Sequence, residues 1–170
     1  TLFRSERTTV NAFISIAGAG YSMYDTLKRQ LSTQPKDVYN ECIRIMDQLK
    51  KGNRVSDVSK DYYSLFRPSV QPYLISEFKY DPAVEIKKLS IPILIIQGNT
   101  DLQVTLNDAN MLKASNSDAV LNIIDGMNHV LKDAPIDREK NLETYSNPNL
   151  PLSSLFKENL INFMKDELLK

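Results

Sequence analysis

The sequence predicts an α/β chain built on a parallel sheet. Three short runs are apolar on both faces, and each stops at a glycine or an Asp-Gly pair. Helical patterns follow the second and third runs, and a long stretch without strand pattern separates the first from the second. Strands apolar on both faces suit a parallel sheet covered by helices on each side, and strand–helix–strand order implies right-handed crossovers.

The first run is Ala12-Phe13-Ile14-Ser15-Ile16-Ala17, ending in Gly18-Ala19-Gly20, and it reads as a central parallel strand. Residues 21–90 then show no strand alternation. Within them Pro35 opens a helix that runs to about Lys51 and stops at Gly52 and Asn53. Its apolar positions Val38, Cys42, Ile45, Met46 and Leu49 recur at helical spacing. Seven of the chain's eight tyrosines fall in this stretch. The second strand is Pro92-Ile93-Leu94-Ile95-Ile96-Gln97 before Gly98, and the third is Ala119-Val120-Leu121-Asn122-Ile123-Ile124 before Asp125-Gly126. Between them Thr105 caps a helix with Asp108 in its first turn and Ala109 and Leu112 facing inward. A closing helix carries Leu155, Phe156, Leu160, Phe163, Met164 and Leu168 as one apolar stripe, opposite Lys157, Glu158, Lys165 and Asp166. The division expected is a core of residues 1–20 and 91–170 with residues 21–90 inserted as a helical cap.

Composition narrows the function classes. The chain has 170 residues, 42% apolar and 25% charged, enough to bury a core, and its 21 basic and 21 acidic residues cancel. That balance gives no reason to expect nucleic acid or an anionic membrane as partner. No apolar run reaches the roughly 18 residues a membrane span needs. The lone Cys42 excludes an internal disulfide and ligation of zinc by paired thiolates, and its helical neighbours mark it as a packed thiol.

Two spacings carry chemistry. The second strand ends in Gly98-Asn99-Thr100-Asp101, and the third is followed by Gly126-Met127-Asn128-His129, which holds the chain's sole histidine. Neighbouring parallel strands deliver their C-terminal ends to one edge of the sheet. One strand–helix unit separates the two loops, so Asp101 and His129 should emerge side by side. A carboxylate so placed holds an imidazole in the tautomer whose other nitrogen serves as a base. A lone loop histidine is more often a surface residue, and it is the paired strand-Gly-x-x-acid and strand-Gly-x-x-His units that favour chemistry. Asp125 is the second-choice acid, with a loop-shaping role beside Gly126 the alternative.

These segments, Ile-Pro-Ile-Leu-Ile-Ile-Gln-Gly-Asn-Thr-Asp (91–101) and Gly-Met-Asn-His (126–129), resemble the acid and histidine loops of α/β-hydrolases. The similarity is nearest to the serine-aminopeptidase and prolyl-oligopeptidase-like branch, and residues 67–82 resemble the end of the cap in bacterial members. The resemblance covers residues 12–170. It implies the C-terminal part of an α/β-hydrolase: three parallel strands with flanking helices and a helical cap insertion. It also implies Asp101 as acid and His129 as general base of a Ser-His-Asp triad acting on ester, amide or peptide bonds, with no metal or organic cofactor.

The chain departs from that family at the nucleophile. Members hold the serine in a Gly-x-Ser-x-Gly elbow preceding the segment that starts at Ala12. Ser5 lacks flanking glycines, and Ser22 follows Gly20 but has Tyr24 at the second glycine position. Neither is expected to be the nucleophile, and the opening Thr1-Leu2-Phe3-Arg4-Ser5 has no counterpart in the family. The expectation is therefore a truncated reading frame, inactive alone, whose strand at 12–17 lacks one partner and invites self-association. Gly18-Ala19-Gly20 imitates a dinucleotide fingerprint, but Met23 replaces its third glycine, so a tight strand exit is favoured. Tyr24 and Tyr73 are candidate pocket aromatics, with core packing the commoner role, and Arg67 pairs either a substrate carboxylate or a neighbouring acid. Two other readings stand beside the hydrolase fragment. One is a non-catalytic binding or interaction domain that kept the fold, and the other is a half completed by a separate chain.

Overall fold

The computed structural model describes residues 10–168, so Thr1–Ser5 lie outside the described residues, as does the side chain of Leu168. The described residues form two compact units, one of residues 10–20 and 82–168 and the other of Tyr21–Asp81.

The first unit holds the sheet. Its strands are β1 (Phe13–Ile16), β2 (Ile93–Gly98) and β3 (Val120–Ile124), all parallel, in the order β1-β2-β3. Around them lie α5 (Pro82–Lys87), α6 (Leu106–Ser115), α7 (Arg138–Tyr145) and α8 (Ser154–Leu168). The expected fold class, three parallel strands with flanking helices, is the one observed.

The three runs do not share one role. Every residue of β2 is buried, as a strand apolar on both faces should be. By contrast Ile16 of β1 and Val120 and Ile123 of β3 are exposed. Among the described residues β2 alone pairs on both sides, while β1, the strand expected to lack one partner, and β3 each pair on one side only.

Two apolar layers sandwich β2. On one face Ile93 and Ile95 pack with Phe13, Ile86 of α5, Leu89, and Ala109 and Leu112 of α6. On the other Leu94 and Ile96 meet Ile124, Met127, and Phe156 and Phe163 of α8. Of the stripe expected on α8, Phe156 and Phe163 are buried and Leu160 packs against that layer, but Leu155 and Met164 are exposed. The face they would need to cover is only three strands wide.

Helix α6 begins as its sequence requires. The Asp108 carboxylate accepts from the Thr105 amide at 3.1 Å and from its hydroxyl at 2.7 Å, which satisfies the helix start. Its other oxygen accepts from the Gly20 amide at 3.0 Å, tying the exit of β1 to α6. A Cβ on Gly20 would run into the Asp108 backbone, so the Gly18-Ala19-Gly20 run serves close packing as β1 leaves the sheet.

Among the described residues the second unit is all helical: α1 (Met23–Leu31), α2 (Lys36–Lys50), a 3₁₀ turn (Lys60–Tyr62), α3 (Tyr63–Phe66) and α4 (Gln71–Glu77). Cys42, Ile45, Met46 and Leu49 of α2 are buried with Phe66, Leu74 and Phe78. Burial, chiefly, pushes the Cys42 thiol up, as befits a packed thiol rather than a reactive one. Gln71 is buried and fully engaged, accepting from the Val55 amide and donating to the carbonyls of Val55 and Phe66.

Tyr24 belongs to this core. Its ring meets Phe78 edge-on at 5.6 Å and its hydroxyl donates to Asp47 at 2.6 Å. Burial, then the Asp47 carboxylate, pushes its phenol up to about 12. The protonated phenol is the form held, so its contribution to stability is complete below the ordinary value of 10.0 and fades as pH rises toward 12. In an alkaline absorbance titration Tyr24 is expected to ionise after the exposed phenols, and earlier in Asp47→Asn. All eight tyrosines titrating together near the ordinary value would contradict this.

Candidate active site

Strand register sets the site. Gly98 at the end of β2 stands opposite Ile124 at the end of β3, so both loops leave the sheet at one level. Asn99 stitches them together. Its backbone amide donates to the Ile124 carbonyl at 3.2 Å, its side-chain nitrogen donates to Asp125 at 2.6 Å, and its side-chain oxygen accepts from the Gly126 amide at 2.8 Å. The Thr100 amide adds a bond to the Met127 carbonyl at 3.2 Å.

Asp101 and His129 meet across this seam, with His129 Nδ1 3.0 Å from Asp101 Oδ2. The Asp101 side chain is 1% exposed and that of His129 29%. Three further donors serve the carboxylate. Oδ1 accepts from the amides of Gln103 at 2.7 Å and Val104 at 2.9 Å, while Oδ2 accepts from Gln97 Nε2 at 3.1 Å. A carboxylate that accepts from all these donors is an acceptor toward Nδ1–H as well. With the carboxylate as acceptor, the tautomer that fits carries its proton on Nδ1 and keeps the Nε2 lone pair free; among the described residues Nε2 has no hydrogen-bond partner.

The loop bearing His129 is folded back on itself. The Ala134 amide bonds the Gly126 carbonyl at 2.7 Å, and the Asn128 amide bonds the Lys132 carbonyl at 3.0 Å. The turn at its tip puts Leu131 at a φ of 63°, held by its amide on the Asn128 carbonyl at 3.0 Å. The Asn128 side chain is fully buried, accepting from the Lys132 amide at 3.1 Å and donating to Asn141 and Thr144 of α7.

The other sequence candidates fall elsewhere. Asp125 is engaged with Asn99 and shapes the loop, so the acid beside His129 is Asp101. Ser22 caps α1, accepting from the Asp25 amide at 3.1 Å and donating to its carboxylate at 2.6 Å. Tyr24 lies in the helical core, whereas Tyr73 and Arg67 are exposed. Among the described residues no cluster of three or more His, Cys, Asp or Glu is placed to hold a metal ion, and no helix is long and apolar enough to cross a membrane. Sequence reasoning passed over Gln97, Asn99, Asn128 and Asn141. For Gln97 a signal existed, since a lone amide closing an otherwise apolar buried strand must find polar partners.

No protein-family model matches the chain, and no curated protein does. Solved structures do. A bromoperoxidase from Bacillus anthracis aligns at a TM-score of 0.48 and 17% identity, over 96% of this chain and 62% of that one. An alpha/beta fold family hydrolase from Bacillus anthracis str. Sterne aligns at 0.45 and 14%, over 85% and 59%. An enol-lactonase from Burkholderia xenovorans LB400 aligns at 0.43 and 14%, over 96% and 60%. The chain thus spans less than two thirds of the length of each of these three structures. At these scores the likeness says nothing of activity, which has to be argued from the residues of this chain.

Proposed function

We propose that this chain carries the acid and the base of a serine hydrolase acting on ester, amide or peptide bonds, with Asp101 orienting and His129 transferring protons. The observation that carries the reading is the 3.0 Å approach of His129 Nδ1 to a buried carboxylate that also accepts from three other donors. In this reading His129 Nε2 takes the proton of a serine hydroxyl as its oxygen bonds to the acyl carbon. The same nitrogen then protonates the departing alcohol or amine. In the second half it takes a proton from water as the water oxygen bonds to the acyl carbon, then gives that proton to the serine oxygen as its bond to the acyl carbon breaks.

The nucleophile belongs, in this proposal, to a Gly-x-Ser-x-Gly elbow encoded ahead of residue 12 in the parent protein. The serine-aminopeptidase and prolyl-oligopeptidase-like branch is the model for this proposal.

A fluorophosphonate probe tests the proposal on the full-length parent. The elbow serine should be labelled, and His129→Ala should slow labelling by at least about a hundredfold, the low end of what a general base contributes. Labelling that is absent, or that proceeds equally fast in His129→Ala, would overturn the proposal and favour the non-catalytic domain.

A further inference from the structure

We infer that Asn141, on a helix that contributes no group to the Asp101–His129 pair, is the positioning residue that sets the spacing of that pair; the inference rests on the acid–base reading above. Asn141 is fully buried. Its Nδ2 donates to the Thr100 carbonyl at 2.8 Å, and Thr100 immediately precedes Asp101. Its Oδ1 accepts from Asn128 Nδ2 at 3.0 Å, and Asn128 immediately precedes His129. One side-chain amide therefore spans the two chain positions adjacent to the acid and the base.

The bridge is directional. An amide offers an acceptor on one side and donors on the other, and here each faces its complement. Its second Nδ2 proton meets the Pro135 carbonyl at 3.1 Å, on the segment that leads from the His129 loop into α7. Thr144, one turn further along α7, accepts from Asn128 Nδ2 at 2.6 Å and donates to the Asn141 carbonyl at 2.7 Å. Asn128 is thus held against α7 by two acceptors and cannot turn without leaving buried polar atoms unpaired. Asn99 joins the same two loops where they leave the sheet, and Asn141 joins them again beside the reacting groups. Two joints at different heights fix an angle, which one cannot.

Because His129 is the chain's only histidine, its ring can be observed alone after ¹⁵N-histidine labelling, even in a self-associated species. The neutral ring with Nδ1 bonded to Asp101 carries its proton on Nδ1, whereas a ring without that partner favours Nε2. The nitrogen shifts distinguish the two forms without any substrate. In wild type the Nδ1–H form is expected to dominate, and Asp101→Ala supplies the spectrum of the released ring. Asn141→Ala, or Asn141→Ser if the first does not fold, should show the released pattern with native circular dichroism.

The comparison is Asn116→Ala, which removes another buried amide of the same unit, bonded to the carbonyls of Ile86 and Leu89 and touching neither loop. It should destabilise the fold and leave the tautomer unchanged. A wild-type tautomer in the Asn141 variants overturns the positioning role and leaves the acid–base pair standing. An Nε2–H ring in wild type instead overturns the pair itself. If neither Asn141 variant folds, wild type still decides. Exchange of the Asn141 side-chain protons only on global unfolding supports the bridge, and rapid exchange overturns it.

Discussion

Asp101→Asn in the full-length parent is expected to lower kcat by about 10⁴-fold while leaving the fold intact, the loss found when a triad's carboxylate becomes an amide. The size of the effect follows from the donors around Asp101. The Oδ1 position faces two backbone amides, of Gln103 and Val104, which cannot be turned around. An asparagine must keep its oxygen there, since the reverse orientation would aim an NH₂ group at two N–H donors in a buried site. The NH₂ group is then forced toward His129 Nδ1. It donates where the carboxylate accepted, and the imidazole moves its proton to Nε2, the nitrogen that must act as base. Gln97 answers by turning its own amide, bringing its unpaired oxygen round but giving up the bonds from Nε2 to the Val104 carbonyl at 3.0 Å and the Gly98 carbonyl at 3.2 Å. Geometry is preserved and protonation inverted. Turnover within tenfold of wild type, measured on an ester substrate, would show that the carboxylate has no such role.

How far the sequence revealed this site depends on what each residue buries. Strands and amphipathic helices were legible because they bury apolar side chains at a regular period, as Ile93–Ile96 and Ala109 with Leu112 do. The pairing of Asp101 with His129 was legible for a topological reason, namely that adjacent parallel strands end at one edge. Helix α7 had no such signature. Its sequence Arg-Glu-Lys-Asn-Leu-Glu-Thr-Tyr buries Asn141 and Thr144, and leaves Leu142 exposed, so an apolar periodicity points at the wrong face. It is held by hydrogen bonds to particular loop atoms, and such partners are known only once both loops are in place. The exposure of Val120 and Ile123 on β3 was hidden for a related reason. A run that is apolar on both faces states what it could bury, and only the neighbours present decide what it does bury.

Gly98→Ala is expected to be among the most destabilising single-methyl additions in the chain, by about 3 kcal/mol, the upper part of the usual range for overpacking a core. Gly98 closes β2 and is buried. A Cβ there would sit 2.5 Å from the Met127 carbonyl carbon and 3.0 Å from its Cβ, and nearer still to the carbonyl oxygen. Backbone cannot rotate out of the way as a side chain does. Relief requires the His129 loop to move bodily from the end of β2, against the Thr100–Met127 and Asn99–Gly126 bonds that clamp it. Met127 is itself fully buried beneath Phe156 and Phe163, so movement also opens the apolar layer under α8. Gly126→Ala separates this cause from ordinary glycine strain. Its φ of 71° penalises a side chain, but a Cβ there meets nothing within 4 Å. That variant should lose only about 1–2 kcal/mol, the cost of left-handed backbone for an L-residue. Denaturant unfolding of the two proteins checks the ranking, and Gly98→Ala proving as stable as Gly126→Ala would contradict it. Because the displaced carbonyl lies two residues before His129, Gly98→Ala should also lengthen the 3.0 Å contact with Asp101, and so release the imidazole in the same spectrum that reports on Asn141.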